Sequence, residues 1–502
     1  MSEPEVAQRA DQQADQQADQ QVDSELADWQ RLDPRMLLVH PVRETIRFLV
    51  PLAVLFVAGR ASGGGAPWEL LGVLFPVALG LLRYLTTSFR IAAGRIELRR
   101  GLLERHVLST PLDRVRTVDL TASPIHRLLG LTTLRIGTGT VASGEEDELD
   151  LDGLPAERAR ALRTDLLHAS PATVDQPEDG APRPAVLTFD LAWLRFAPLT
   201  SSGVVVTAGL LGAAGQVFGA SGGIDLELRS WDLGVPAWAV VALGVVVVAV
   251  LVSAVSVAGY LVTNWDFSLT RGAGAWHLRR GLLTTRETSL DESRVAGVTV
   301  AEPLGLRLAG GGRLSAIVTG LGAGQSGSSV LVPPAPREVL ERVAGVVLGT
   351  GSPVHALLTG HGPAALRRRW TRAVGTAGVL AAVVAAVVLL AGGGWWAVLG
   401  IGLPLLAVPL AADRARALGH TLSDGYVVAR SGSLARRRDH LAVEDVIGWN
   451  LRATWFQRRA GLTSLVATTA GGRQSVIVLD VPEPFAVALA DATLPHVRQF
   501  LA

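Results

Sequence analysis

The strongest constraint on the fold of this chain is a pattern of three glycines that occurs three times. The central glycine of the pattern lies between two strand-like runs and is Gly101, Gly281 or Gly432. A glycine also precedes it by seven residues, and another follows it by 29 residues: Gly94, Gly274 and Gly425, then Gly130, Gly310 and Gly461. Equal spacing in three copies indicates a tandem repeat, which must be recognised before any fold is assigned.

Two long apolar segments precede each copy of the pattern. A helix that spans a bilayer needs about 20 apolar residues, and five of the six segments meet that length. The first segment is shorter, because its strictly apolar part covers only residues 48–59. It spans the bilayer only if its flanking arginines reach both interfaces, and otherwise it lies in the interface. The six segments are residues 45–60, 67–86, 199–220, 236–262, 372–391 and 395–412.

The sequence therefore predicts six transmembrane helices in three hairpins, each followed by a small soluble domain. A Gln-rich acidic run at residues 10–21 cannot bury enough apolar surface to fold, so a disordered acidic tail is predicted for residues 1–35. The predicted hairpins are residues 36–88, 199–263 and 372–418, the domains are 89–168, 264–349 and 419–502, and the linkers are 169–198 and 350–371.

Arginine placement predicts the orientation of the hairpins. Arginines such as Arg90, Arg195 and Arg372 flank the segment ends that face the soluble domains, whereas the hairpin tips carry only Arg60 and Arg229. The positive-inside rule then places both termini and all three domains in the cytoplasm, in a multi-pass protein of the plasma membrane.

Composition excludes several classes of function. The chain has no cysteine, so disulfides, thiolate catalysis and Cys-ligated metals are excluded. A net charge of +1 argues against a nucleic-acid partner. The sequence lacks a P-loop, a nucleophile elbow and a His-Glu-x-x-His motif. We therefore predict no catalytic residue, no cofactor and no metal site, and expect that the protein is not an enzyme.

Each soluble domain has the pattern of a small β-structure. Apolar alternation around Gly94 predicts two strands and a tight turn, and Gly101 marks the next turn. Prolines at Pro155, Pro336 and Pro484 predict the start of a closing helix. The predicted fold class is membrane α plus β, in which each hairpin precedes an antiparallel β-barrel closed by a C-terminal helix.

This arrangement resembles a known family. Two apolar helices, then Arg100–Leu103, then Ile125–Leu131, are similar to the bacterial pleckstrin-homology-like (PH-like) membrane proteins of the YdbS/YdbT family. Leu191–Ser201 resembles the segment that joins the copies in that family, and the chain as a whole resembles its longer, three-domain, YdbT-like member.

The resemblance and the absence of a catalytic motif together favour a membrane scaffold. Its PH-like domains would bind membrane lipids or protein partners. The resemblance implies a smaller single-domain PH-like paralogue as a partner and a role in envelope stress or defence. The alternative is a six-helix transporter or channel with regulatory domains, which would need a polar path through the helices.

A candidate contact element lies just before the third glycine of each copy. An arginine stands there among bulky apolar residues, a composition that suits the headgroup layer of a membrane or a partner surface. In the simpler alternative, the apolar residues cap the barrel and the arginine faces water. The candidate residues are Arg127, Arg307, Arg458, Arg459 and Trp455.

Overall fold

The computed structural model describes part of the chain, in two compact units. Gly94, Gly101, the apolar segment 45–60 and most of the predicted acidic tail lie outside the described part. The described residues are 29–39, 78, 81–82, 84–92, 95–100, 106–111, 117–137, 149–168, 185–200, 209, 212, 237–272, 274–319, 329–390, 392, 402–471 and 475–493.

The described elements follow one order in each third of the chain: strands, a short helix, further strands and a closing helix. The strands are β1 Gln30–Arg31, β2 Ser88–Ala92, β3 Arg95–Arg100, β4 His106–Pro111, β5 Thr117–Ala122, β6 Leu131–Gly137, β7 Leu149–Pro155, β8 Ala185–Thr188, β9 Ser268–Gly272, β10 Ala275–Arg280, β11 Thr285–Asp291, β12 Val295–Pro303, β13 Gly311–Val318, β14 Val330–Pro336, β15 Gly419–Ser423, β16 Tyr426–Ser431, β17 Ala435–Ala442, β18 Gly448–Arg452, β19 Leu462–Thr468 and β20 Ser475–Pro482. The helices are α1 Pro124–Leu129, α2 Ala156–His168, α3 Ala237–Asn264, α4 Leu304–Leu308, α5 Arg337–Leu348, α6 Ser352–His355, α7 Gly362–Leu390, α8 Gly402–Arg416, α9 Trp455–Arg459 and α10 Glu483–Thr493.

The first unit contains residues 1–182 together with 272–279 and 283–291. One of its antiparallel sheets has the order β1-β2-β3-β4, and a second contains β7-β6-β5-β11-β10. Alternate residues of a strand point to one face, and here the inward set includes Val118, Leu120, Leu134 and Leu151, all at most 4% exposed. The core of the first domain is therefore the apolar face of its strands.

The second unit holds the rest of the chain. One sheet has the order β14-β13-β12-β17-β16-β15, and another has the order β18-β19-β20. The core of the third domain draws on both sheets and includes Ala296 and Ile317 from the middle third of the chain. The strands are antiparallel as predicted, but the sheets continue from one third of the chain into the next. Among the described strands, successive domains therefore share sheets, because strand edges pair between copies.

The repeated glycines occupy backbone conformations that side chains disfavour. Seven of the nine lie in the described part, and their φ angles range from +64° at Gly461 to +112° at Gly281. Only glycine adopts this left-handed region at no steric cost. The remaining five are Gly130, Gly274, Gly310, Gly425 and Gly432.

Two predicted linkers contain regular structure. In the linker 169–198, β8 pairs with β9 and a 3-10 helix follows at Leu191–Leu199. Phe196 of that helix is fully buried, and a Cβ at Gly311 would come within 2.3 Å of its ring. In the linker 350–371, α7 already begins at Gly362. The predicted disordered tail also ends early, because Leu32 is only 3% exposed and packs in the first core.

Two described helices are long and apolar enough to cross a membrane: Val246–Asn264 within α3, and α7. By length and composition they indicate membrane association. They coincide with the predicted segments 236–262 and 372–391, and α8 covers 15 residues in and after the sixth segment. Six membrane spans are not shown, and the remaining predicted spans stay predictions.

Candidate contact surface

The predicted contact residues all lie on three short helices, α1, α4 and α9, each placed between two strands. Ser123 caps α1 and accepts a hydrogen bond from the backbone of His126. Thr454 caps α9 in a reciprocal pair with Gln457, which satisfies two backbone donors that would otherwise be unpaired. Helix α4 has no such side-chain cap, and the backbone N–H of Leu304 instead donates to the carbonyl of Leu434 at 2.7 Å.

A buried side chain just before the arginine anchors each helix. In α1 this is His126, whose ring nitrogens lie 2.6 Å from the Ser123 hydroxyl and 3.2 Å from a carboxylate oxygen of Asp152. In α9 it is Gln457, whose amide donates to Ser464 at 2.8 Å and to Asp480 at 2.7 Å. In α4 the apolar Leu306 takes this position and is 2% exposed.

With one side chain anchored inward, each helix turns apolar side chains outward. Leu128 of α1 is 87% exposed and Leu308 of α4 is 79% exposed. In α9 the exposed fraction is 56% for Trp455 and 70% for Phe456, whose rings contact edge to face at 5.0 Å. Large apolar side chains at this exposure, grouped beside arginine, are typical of a contact surface.

The arginines differ among the three helices. Arg127 and Arg458 are exposed, and the guanidinium of Arg459 lies 5.3 Å from the ring centroid of Trp455. Arg307 instead points into the second unit, where it donates to Asp413 at 2.9 Å and to the carbonyl of Ser433 at 3.1 Å. Asp413 also pairs with Arg436 at 2.6 Å. Sequence reasoning grouped Arg307 with the outward-facing arginines, and the structure places it in an ion-pair network.

A second buried network lies beneath α9. The carboxylate of Asp480, which is fully buried, lies 2.7 Å from Arg368 and 2.6 Å from Arg369, both on α7. The amide of Gln457 completes the network, so the contact helix and the apolar helix α7 share one anion. Sequence reasoning did not find Asp480, because its ion-pair partner Arg368 lies 112 residues away in the chain.

His361, which precedes helix α7, and His420 of the third domain form a buried pair. Nδ1 of His361 donates to the carbonyl of Leu479 at 2.7 Å, and Nδ1 of His420 lies 2.9 Å from Nε2 of His361. Burial lowers the pKa of His361, and burial together with His361 lowers the pKa of His420 to about 4. Both rings are therefore neutral at pH 7, which allows one to donate to the other.

Comparison with known proteins bears on the two ends of the chain. A family model for the bacterial PH domain matches residues 45–170 and 372–492. These two regions of the chain are similar to the bacterial PH domain. The two matched regions contain α1 and α9, while the middle domain at 264–349 lies outside both. No curated protein and no solved structure matches the chain. The PH-like character is confirmed for these regions, and membership of the YdbS/YdbT family stays a prediction.

Proposed function

We propose that this PH-like protein is a non-enzymatic scaffold of the plasma membrane, built as a tandem repeat of hairpin and PH-like domain. Its short helices α1, α4 and α9 bind the inner membrane surface or a protein partner. The observation that carries this proposal is that the equivalent short helix of each of the three domains exposes a large apolar side chain: Leu128, Leu308 or Phe456. Weak contacts at three places on one chain reinforce each other through effective concentration.

The membrane part of the proposal rests on the apolar helices. Helix α3 carries no charged residue over 28 residues. With six spans in three hairpins, every domain lies on the same, cytoplasmic side. A reporter fused after Ala502 tests this, because an enzyme active only outside the cell would then stay inactive. A role in envelope stress or defence is proposed from the family resemblance.

Site-specific photo-crosslinking in native membranes tests the contact surface. A photoreactive residue is placed in the full-length chain at Leu128, Leu308 or Phe456, and the control position is Val346, an exposed apolar residue of α5. We expect adducts with lipid or with one specific protein at the three contact positions, above the level at Val346. Equal labelling at all four positions would refute the proposal. Ion flux through reconstituted protein would instead favour the transporter alternative.

A further inference from the structure

The sheets join successive copies of the repeat by the same strand pairing. At the first joint β11 pairs with β5, and Thr285, four residues after Gly281, faces Ala122, 21 residues after Gly101. At the second joint β17 pairs with β12, and Arg436, four residues after Gly432, faces Glu302, 21 residues after Gly281. The two joints thus have the same antiparallel register when residues are counted from the central glycine of each repeat.

Each joint pairs one edge strand of a repeat with one edge strand of the next repeat. With three repeats and two joints, one strand of this kind in the first repeat and one in the third take no part in a joint. The first copy keeps β4, the equivalent of β11 and β17, and the third copy keeps β18, the equivalent of β5 and β12. Among the described strands, β4 and β18 each stand at the end of their sheet with one neighbour. An edge strand presents a row of backbone donors and acceptors that can pair with another strand.

Burial differs between the joints and these two edges. Within the joints, the facing residues Val118 and Ser289 are fully buried, and so are Val298 and His440. The equivalent residues on the remaining edges, Ser109 of β4 and Trp449 of β18, are only half-buried. Val107 of β4 is 52% exposed. The two edges therefore retain surface that both joints cover.

We propose that the protein assembles head to tail, with β18 of one protein molecule paired to β4 of a second molecule of the same protein. The repeat register then brings His106–Thr110 antiparallel to Gly448–Arg452, with Ser109 facing Trp449 and Val107 facing Leu451. Because the two edges differ, each pairing leaves one β4 and one β18 at the ends of the assembly. Such a heterologous contact produces a closed ring or an extended row of protein molecules.

The pairing between two protein molecules is weaker than the joints between repeats within one chain. At the second joint Thr299 donates to Asp439 directly across the ladder at 2.7 Å. In the proposed register the equivalent pair is Asn450 and Leu108, which lacks this charge-assisted hydrogen bond. Assembly is therefore reversible and depends on the concentration of the chain in the membrane.

Disulfide trapping tests the proposal, since the natural chain has no cysteine. Two differently tagged full-length chains, one with Val107→Cys and one with Leu451→Cys, are co-expressed and their membranes oxidised. Facing residues of an antiparallel pair have Cα atoms about 4.5–5.5 Å apart, which suits a disulfide. The positive control is Glu287→Cys with Leu120→Cys in one chain, the equivalent facing pair of the first joint. The negative control replaces Leu451→Cys by Ile477→Cys, on an exposed position of β20.

We expect a disulfide between the two tagged chains for Val107→Cys with Leu451→Cys, and none with Ile477→Cys. Light scattering of the purified wild-type protein should show more than one chain per particle, with loss of the larger species in Val107→Lys but not in Ile477→Lys. A wild-type particle of one chain would overturn the proposal. So would a Val107→Cys, Leu451→Cys double variant that closes only within one chain, because the two edges would then meet in a single molecule.

Discussion

The first and third domains support their last strand in different ways at the same backbone position. Two residues before the proline that ends this strand, the first domain has Gly153 and the third has Asp480, with φ angles of +80° and +53°. At Gly153 the buried Met36 packs so closely that a Cβ would lie 2.1 Å from its Cγ. At Asp480 two arginines of α7 reach the carboxylate. The repeat thus keeps the backbone turn and exchanges an apolar contact for an ionic one.

Equivalent positions in the two domains are stabilised by different interactions, so different changes should destabilise them. The apolar contact in the first domain depends on shape, and it is insensitive to pH. The third domain buries charge and histidine where the first has apolar residues. His420 lies five residues before Gly425, and the equivalent residue of the first domain is the buried Phe89. Three predictions use this comparison.

The largest effect is expected for Asp480→Asn. Asparagine tolerates positive φ and retains an oxygen for Gln457, so the change removes mainly the charge. It leaves the buried Arg369 and the half-buried Arg368 without a counter-ion, and breaking a buried pair in this way costs about 3–5 kcal/mol. Hydrogen exchange of the amides in β19 and β20 measures the loss of protection.

Asp152→Asn in the first domain is the matched control. The Asp152 side chain is 17% exposed and its ring partner is His126. Partly exposed pairs contribute about 1 kcal/mol or less, so β6 and β7 should keep most of their protection. Equal losses in the two domains would show that the buried charge does not distinguish them.

The next effect is a loss of stability in acid that is confined to the third domain. The pKa of His420 is lowered to about 4 in the folded state and returns to about 6.5 on unfolding. The unfolded chain therefore binds more protons between these values, and stability falls as the pH drops from about 6.5 to 4. For this one group the difference amounts to on the order of 3 kcal/mol.

Unfolding followed by hydrogen exchange at several pH values checks this prediction. His420→Leu, which introduces the residue type of Leu269 at the equivalent place in the middle domain, should flatten the pH dependence of the third domain. Part of the dependence of stability on pH should remain because of His440. Burial, with a contribution from Arg438, lowers the pKa of His440 to about 4. A first domain that loses protection over the same pH range would contradict the comparison.

The turns and the order of elements could be predicted from the sequence, because they depend on local chemistry. Gly130, Gly310 and Gly461 each have the left-handed φ that terminates a short helix, and fixed spacing identifies such positions without a structure. The closing helices begin near the predicted prolines: α5 starts one residue after Pro336, and Pro484 is the second residue of α10.

The joints and the buried ions could not be predicted, because they depend on residues that are distant in sequence. Arg307 and Asp413 are 106 residues apart, and neither has a distinctive neighbourhood in the chain. Pairing of β12 with β17 follows from which strand edges meet in space, whereas the spacing of glycines defines only one copy. The sequence pattern therefore predicted three alike arginines, although one of them stabilises the contact between two copies.

The smallest expected effect separates those arginines. Arg307→Ala removes two charge-assisted hydrogen bonds from a side chain that is 17% exposed, so we expect a loss of about 1–2 kcal/mol in the stability of the joint between β12 and β17. Arg127→Ala and Arg458→Ala, at exposed positions, should change stability by about 0.5 kcal/mol or less. Hydrogen exchange measures the stability of all three variants.

The photo-crosslinking yield should fall most in Arg127→Ala and Arg458→Ala and least in Arg307→Ala, since Arg127 and Arg458 face outward and Arg307 does not. If Arg307→Ala lowered that yield most while leaving exchange unchanged, the arginine of the middle domain would be a contact residue like the other two.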